Sequence, residues 1–503
     1  MPNDAYGELL ERWRDARILD SCDSLLGWDQ ETYMPAGGAA HRAEQHALLA
    51  RLVHEERTDA RIGELVEAAA DDERVQDPAS VEAANLREIR REFERWSKVP
   101  TSLQVERART ASLALQAWKQ ARNENSFETF SPWLQKILDL RVQEAEAVGY
   151  DTEVYDALLE VYEPGETAAH LIELFAPVRD ASVDLLGRIR ESAHRPEAGL
   201  LEGTMPIERQ SEFVRRVAEA IGFDLHGGRI DTTTHPFCSR IGPGDVRLTT
   251  RYTEREFHGA FFSVLHEAGH GIYEQGLPAD AFGAPAGEAA SYGVHESQSR
   301  LWENHVGRSQ GFWRHFYGDL QATFPDTFAG VGRGDFYSAV NRVEPSLIRV
   351  DADEVTYDLH IFLRFDLERA MLNGDLAVAD LPGAWNERFE ADFGLRPPGD
   401  AQGCLQDIHW SWGSFAYFPT YTLGNLYAAQ IFGAAGRDLG DLDEAFARGE
   451  FLPLRDWLRD KVYGNGARYR PAELVERICG KPVGAQDLIA HLNGRYSRIY
   501  GLT

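Results

Sequence analysis

The chain has 503 residues, 43% of them hydrophobic, and carries 81 acidic against 52 basic side chains for a formal net charge of −29. That is ample for a large core, and an acidic surface with no basic stripe argues against nucleic acid as a partner. The apolar runs are too short to cross a membrane, the first nineteen residues are charged rather than leader-like, and Cys22, Cys238, Cys404 and Cys479 lack any C-x-x-C spacing, so we expect a soluble cytoplasmic protein with reduced thiols and no membrane partner.

Amphipathic periodicity predicts helices over Ala5–Leu19, Ala39–Val66, Val81–Trp96 and Ser102–Asn123. No linker, low-complexity run or repeat interrupts the sequence. We therefore expect one domain over 1–503, with a helical N-terminal region of about 1–225 and a region of about 226–503 that opens with a sheet. Residues 228–252 alternate, with Gly242-Pro243-Gly244-Asp245 as a turn, and predict a small antiparallel sheet. Thr253-Glu254-Arg255-Glu256 reads as a capping box. Phe257, Phe261, Val264, Ala268 and Ile272 then form an apolar stripe, and Gly276 with Pro278 stops this helix near Glu274. A second helix begins after Gly293, and loops are expected near Pro278–Gly287, Pro397–Gly403 and Gly464–Pro471. The fold class is mainly α.

The helix after the sheet carries His266-Glu267-Ala268-Gly269-His270, an H-E-x-x-H pentad. Residues i and i+4 share a helix face, so His266 and His270 can grip one metal ion while Glu267 stands beside its open position as a proton acceptor. A third ligand is needed. Glu296 on the next helix supplies one. His295 is the alternative, though it points about 100° away from Glu296. Arg300 follows Glu296 at i+4, and Glu303 lies two turns on along the same face, which makes both candidates for support around the ligands. Taken alone, Glu296 and Arg300 would read as a solvated surface pair; behind an H-E-x-x-H helix they read as part of a site. One divalent metal per chain is expected, zinc first, with cobalt or manganese also compatible with these ligands.

Several further elements stand in order along the chain: Leu26-Gly27-Trp28-Asp29-Gln30-Glu31-Thr32-Tyr33-Met34-Pro35, Asp245-Val246-Arg247-Leu248-Thr249, His295-Glu296-Ser297-Gln298-Ser299-Arg300, Ile348-Arg349-Val350-Asp351-Ala352-Asp353 and Gly403-Cys404-Leu405-Gln406-Asp407-Ile408-His409-Trp410. With the pentad, they resemble the M32 metallocarboxypeptidases, the carboxypeptidase Taq family. The resemblance implies a nearly all-helical, two-lobed fold of the neurolysin-like gluzincin kind with a long central cleft, a divalent metal, a homodimer, and peptides with a free C-terminus as substrates. By similarity to helical gluzincin peptidases, His409 and Tyr421 are the expected oxyanion donors, with Tyr417 as second choice; Trp410 and Trp412 are read as core aromatics. Arg349 is the expected clamp for the substrate's terminal carboxylate, oriented by Asp351 and Asp353. Arg247 either braces the sheet or replaces it as the clamp. The expected reaction is release of single C-terminal residues with broad specificity. A related oligopeptidase cutting internally is the alternative, and an inactive peptide- or metal-binding scaffold is the alternative of another class.

Lysine is nearly absent, with Lys98, Lys119, Lys136, Lys461 and Lys481 the whole set. An acid-rich, lysine-poor chain suits concentrated salt, where the screening length falls to roughly 3 Å at 1 M. A salt-in halophilic archaeon is the expected source.

Overall fold

The computed structural model describes residues 4–502. Helices dominate. The first runs Ala5–Thr32, well beyond the predicted end, and the next predicted helix is split into Ala39–Arg57 and Ala60–Ala69. The split has a local cause: the Asp59 carboxylate accepts from the Arg61 amide at 2.7 Å and so caps a new helix. Val81–Lys98 and Thr101–Glu124 follow close to expectation.

The sheet has three strands, β1 (Gly228–Thr232), β2 (Cys238–Gly242) and β3 (Asp245–Thr250), in the order β1-β3-β2. β2 and β3 form the expected antiparallel hairpin across the Gly242–Asp245 turn, but β1 pairs parallel to β3, with Ile230 opposite Leu248. The sheet is therefore mixed, not antiparallel. Alternation of side chains announces a strand and carries no information on its direction. The chain leaves β1 through residues 233–237, where Phe237 and Thr249 exchange backbone and side-chain hydrogen bonds, and re-enters on the opposite side of β3.

The helix carrying the pentad spans Phe257–Gly276. Its start differs from the predicted capping box. The Glu254 and Arg255 carbonyls accept from the Met205 and Gly203 amides, and the Gln210 side chain donates to the Thr253 carbonyl. These contacts hold 253–255 out of the helix, and Glu256 stands at the N-cap without a side-chain bond. The predicted stripe is buried throughout, with Phe257 and Phe261 packed among Phe213, Phe312 and Trp313.

Two compact units divide the chain. One comprises Met1–Trp96, Pro196–Val340 and Tyr427–Val483; the other comprises Ser97–Arg195, Asn341–Leu426 and Gly484–Thr503. Each is assembled from three separate segments.

Candidate active site

In the first unit, helix Tyr292–Arg300 packs beside the pentad helix. It begins at Tyr292, two residues before the predicted start, with the Ser291 hydroxyl at its N-cap accepting from the Val294 amide. The approach of the two helices depends on Gly269: a Cβ there would lie 2.6 Å from the Gln298 carbonyl oxygen and 2.6 Å from Ser299 Cα. Glu296 Oε2 then stands 3.7 Å from His266 Nε2 and 3.5 Å from His270 Nε2, and one donor atom from each residue lies within 4.8 Å of the others. A tetrahedral ion with bonds of about 2.0–2.1 Å needs ligand separations of about 3.3 Å, so this donor set fits a small divalent cation.

Each imidazole is held from behind. His266 Nδ1 lies 3.0 Å from Glu303 Oε2, and His270 Nδ1 lies 3.0 Å from the His295 carbonyl. Both Nε2 atoms are thereby turned toward Glu296, the arrangement that fixes ring orientation in metal sites. Burial and the neighbouring His295 ring push the His270 pKa down to about 3, so this imidazole is neutral, the form that binds metal. Arg300 Nε donates to Glu296 Oε1 at 2.7 Å and its Nη1 to Glu303 Oε2 at 3.4 Å. Burial opposes ionisation of both acids, but Arg300 and the imidazoles hold Glu303 at about 2 and Glu296 well below the usual carboxylate range. Glu303 sits in a π-helical turn, Leu301–Val306, that continues the second helix. His295 faces elsewhere, with Nε2 2.9 Å from Glu274 Oε1 and its ring stacked on His270. Glu267 is buried, and burial raises its carboxyl to about 7, with His266 opposing and Glu296 adding to the shift.

The second unit gathers the other predicted residues. Arg349 Nε and Nη2 donate to Asp407 Oδ1 at 3.2 and 2.9 Å, its Nη1 to the Tyr357 hydroxyl at 3.0 Å, and its amide to Gln406 Oε1. Arg364 binds the other oxygen of Asp407 and also Gln406. The acid that orients Arg349 is thus Asp407, not Asp351 or Asp353; Asp353 instead accepts from the backbone of Glu344, Val355 and Thr356. Two buried guanidinium groups share one carboxylate, which leaves the ion-paired cluster one positive charge in excess. His409 Nε2 lies 3.4 Å from the Tyr421 hydroxyl, and the Tyr417 ring stands beside both. Burial pushes the His409 pKa down to about 4 despite Asp407, so the ring is neutral and able to donate one N–H. Trp410 is buried as expected, but Trp412 is 53% exposed and is not a core residue: the short His409–Trp412 turn, closed by left-handed Gly413, carries it outward.

Arg247 belongs to the first unit. It is paired with Asp245 at 2.7 Å and stacked 4.1 Å from the Trp28 ring, so it braces the first helix against β3. Sequence reasoning passed over Asp407, Arg364 and Glu368. Arg364 had a signal: an arginine inside the apolar run Leu359-His360-Ile361-Phe362-Leu363-Arg364-Phe365 must find a buried partner.

The arrangement of two histidines and a glutamate around a metal-sized space, with a buried glutamate next to the first histidine, defines a helical metallopeptidase. The carboxypeptidase Taq (M32) metallopeptidase family model matches residues 8–496, and the chain belongs to that family. It is 47% identical to thermostable carboxypeptidase 1 of Thermus thermophilus, over 99% of this chain and 100% of that protein. It is 36% identical to carboxypeptidase 1 of Bacillus subtilis, over 95% of each. The crystal structure of the M32 carboxypeptidase from Deinococcus radiodurans R1 superposes with a TM-score of 0.96 at 42% identity, covering 99% of this chain and 100% of that one.

Proposed function

We infer that the protein is a metal-dependent carboxypeptidase that releases single residues from the free C-termini of peptides, with the whole chain, 1–503, acting as one functional domain. His266, His270 and Glu296 hold the ion, zinc in the first place. A bound cation of this kind acidifies a water molecule and polarises the peptide carbonyl. Glu267, poised near neutrality, takes the proton and returns it to the departing amine. Neutral His409 and the Tyr421 hydroxyl donate to the oxyanion of the tetrahedral intermediate, with Tyr417 beside them. Arg349 binds the terminal carboxylate.

The observation that carries the exopeptidase reading is the surplus positive charge shared by Arg349, Arg364 and Asp407. Arg349 and Arg364 share Asp407 as their ion-pair partner, burial raises the nearby Glu368 carboxyl to about 7, and a substrate carboxylate supplies the second charge. An enzyme cutting internal bonds has no use for it. Arg247, already paired and stacked, is the weaker candidate for this role. The rest of the reading is a homodimer working in a cytoplasm of high salt; the acidic, lysine-poor composition supports the salt alone. Among the described residues no helix is long and apolar enough to cross a membrane.

A blocked dipeptide and its C-terminally amidated twin test the assignment. Metal-loaded protein should cleave the free acid and spare the amide; cleavage of both would make it an endopeptidase, and cleavage of neither an inactive scaffold. Arg349→Ala should lower kcat/KM on the acid by about 2–4 kcal/mol in transition-state binding and leave residual amide turnover unchanged, and Arg349→Lys should recover only part. Equal losses on both substrates would make Arg349 structural.

A further inference from the structure

Helix Tyr357–Leu372 packs against the segment from His409 through Tyr417 to Tyr421, which ends in the first turn of helix Pro419–Leu439, and one of its faces serves that segment. Tyr357 binds Arg349, Arg364 binds Asp407, and Glu368, one turn further on, binds the segment itself. The Glu368 carboxylate accepts from the Trp410 indole at 2.7 Å, the Ala416 amide at 3.0 Å and the Tyr155 hydroxyl at 3.0 Å, and all four residues are buried. Trp410 directly follows His409 and Ala416 directly precedes Tyr417.

Ala416 also has a left-handed backbone, with φ of 63°. A residue with a Cβ holds that conformation only when its surroundings enforce it. The neighbouring Gly413, with φ of 75°, closes the turn at the other end. The chain from His409 to Tyr421 is therefore bent twice. The carboxylate of Glu368 is the group that ties the strained second bend to the first.

We propose that Glu368 is a positioning residue for the reaction: by clasping Trp410 and Ala416 it sets the spacing of the His409 ring from the Tyr417 and Tyr421 rings. This rests on His409 and Tyr421 being the oxyanion donors. Glu368 touches no substrate, so its loss is felt in the transition state rather than in substrate binding.

The test compares full-length, metal-loaded variants on the free-acid dipeptide. Glu368→Gln should lower kcat by at least about tenfold with KM within about threefold of wild type, because Arg349 still binds the carboxylate. Trp410→Phe, which leaves Glu368 in place and cuts one tie to the segment, should lower kcat in the same way. Tyr155→Phe, which removes the one donor to Glu368 that does not belong to the His409–Tyr421 segment, should lower only the melting temperature. If Glu368→Gln and Trp410→Phe shift the melting temperature like Tyr155→Phe and leave kcat intact, Glu368 is a core carboxylate and the proposal fails. His409→Ala and Tyr421→Phe in the same assay separate the two levels. Loss of kcat in these with none in Glu368→Gln overturns the positioning role alone. Full kcat in these overturns the oxyanion reading and the proposal with it.

Discussion

Glu296 and Glu303 both lie against His266, yet one faces its Nε2 and the other its Nδ1. On the proposed reading, that difference separates a ligand from the group that aims a ligand. In a chelator competition titration, Glu296→Ala should lose tight metal binding, and Glu303→Ala should weaken it by roughly 10–100-fold. A larger loss for Glu303→Ala would exchange their roles. Glu368 poses a different question at the same scale. Burial raises its carboxyl to about 7 from 4.5, and the three donors around it only partly oppose the shift. The folded protein therefore holds a proton on Glu368 that the unfolded chain has released between about pH 4.5 and 7. The stability this contributes is complete below about 4.5 and is lost as pH rises through 7. At 1.36 kcal/mol per pKa unit the ceiling is about 3 kcal/mol. Unfolding by urea at pH 5 and pH 8 should show Glu368→Gln losing less stability with rising pH than wild type does; parallel pH curves for the two would remove Glu368 as a titrating group.

The two ligand-bearing helices meet where Gly269 leaves bare backbone against Gln298 and Ser299. Gly269→Ala would drive a methyl into main-chain atoms that cannot swing aside. The helices should part by a few tenths of an ångström or more, with about 1–3 kcal/mol of lost stability and a weaker metal site, readable as a lower melting temperature and a higher metal Kd. An unchanged Kd would mean that Glu296 follows the helix without strain. Gly269 also shows which parts of the site the sequence makes legible. The pentad and its stripe are local, periodic features, and the helix that carries them forms where periodicity puts it. That helix starts later than the Thr253 capping-box pattern implies, because residues 203–210, distant in sequence, take the 253–255 carbonyls. The strand segments are visible in the alternation of 228–252, but the parallel pairing of β1 depends on a loop path that alternation does not encode. Arg349 is recognisable from its motif, whereas its partner Asp407 lies 58 residues away, and nearer acids are the natural guess. Trp412 and Trp410 look alike in sequence; a left-handed Gly413 sends one outward and leaves the other on Glu368.

At the scale of the molecule, a net charge of −29 repels itself at low ionic strength. Raising KCl from roughly 0.1 M to about 2 M shortens the screening length from about 10 Å to a few ångströms, so the melting temperature should climb over that range. A flat or falling curve would count against adaptation to salt and leave the peptidase assignment untouched. A Cβ at Gly269 would meet main-chain atoms of Gln298 and Ser299, so the approach of the two helices is limited by backbone contact rather than by the sizes of packed side chains. Exchanging a lysine for an acid on the exterior leaves that backbone contact, and with it the approach of the helices carrying His266, His270 and Glu296, unchanged.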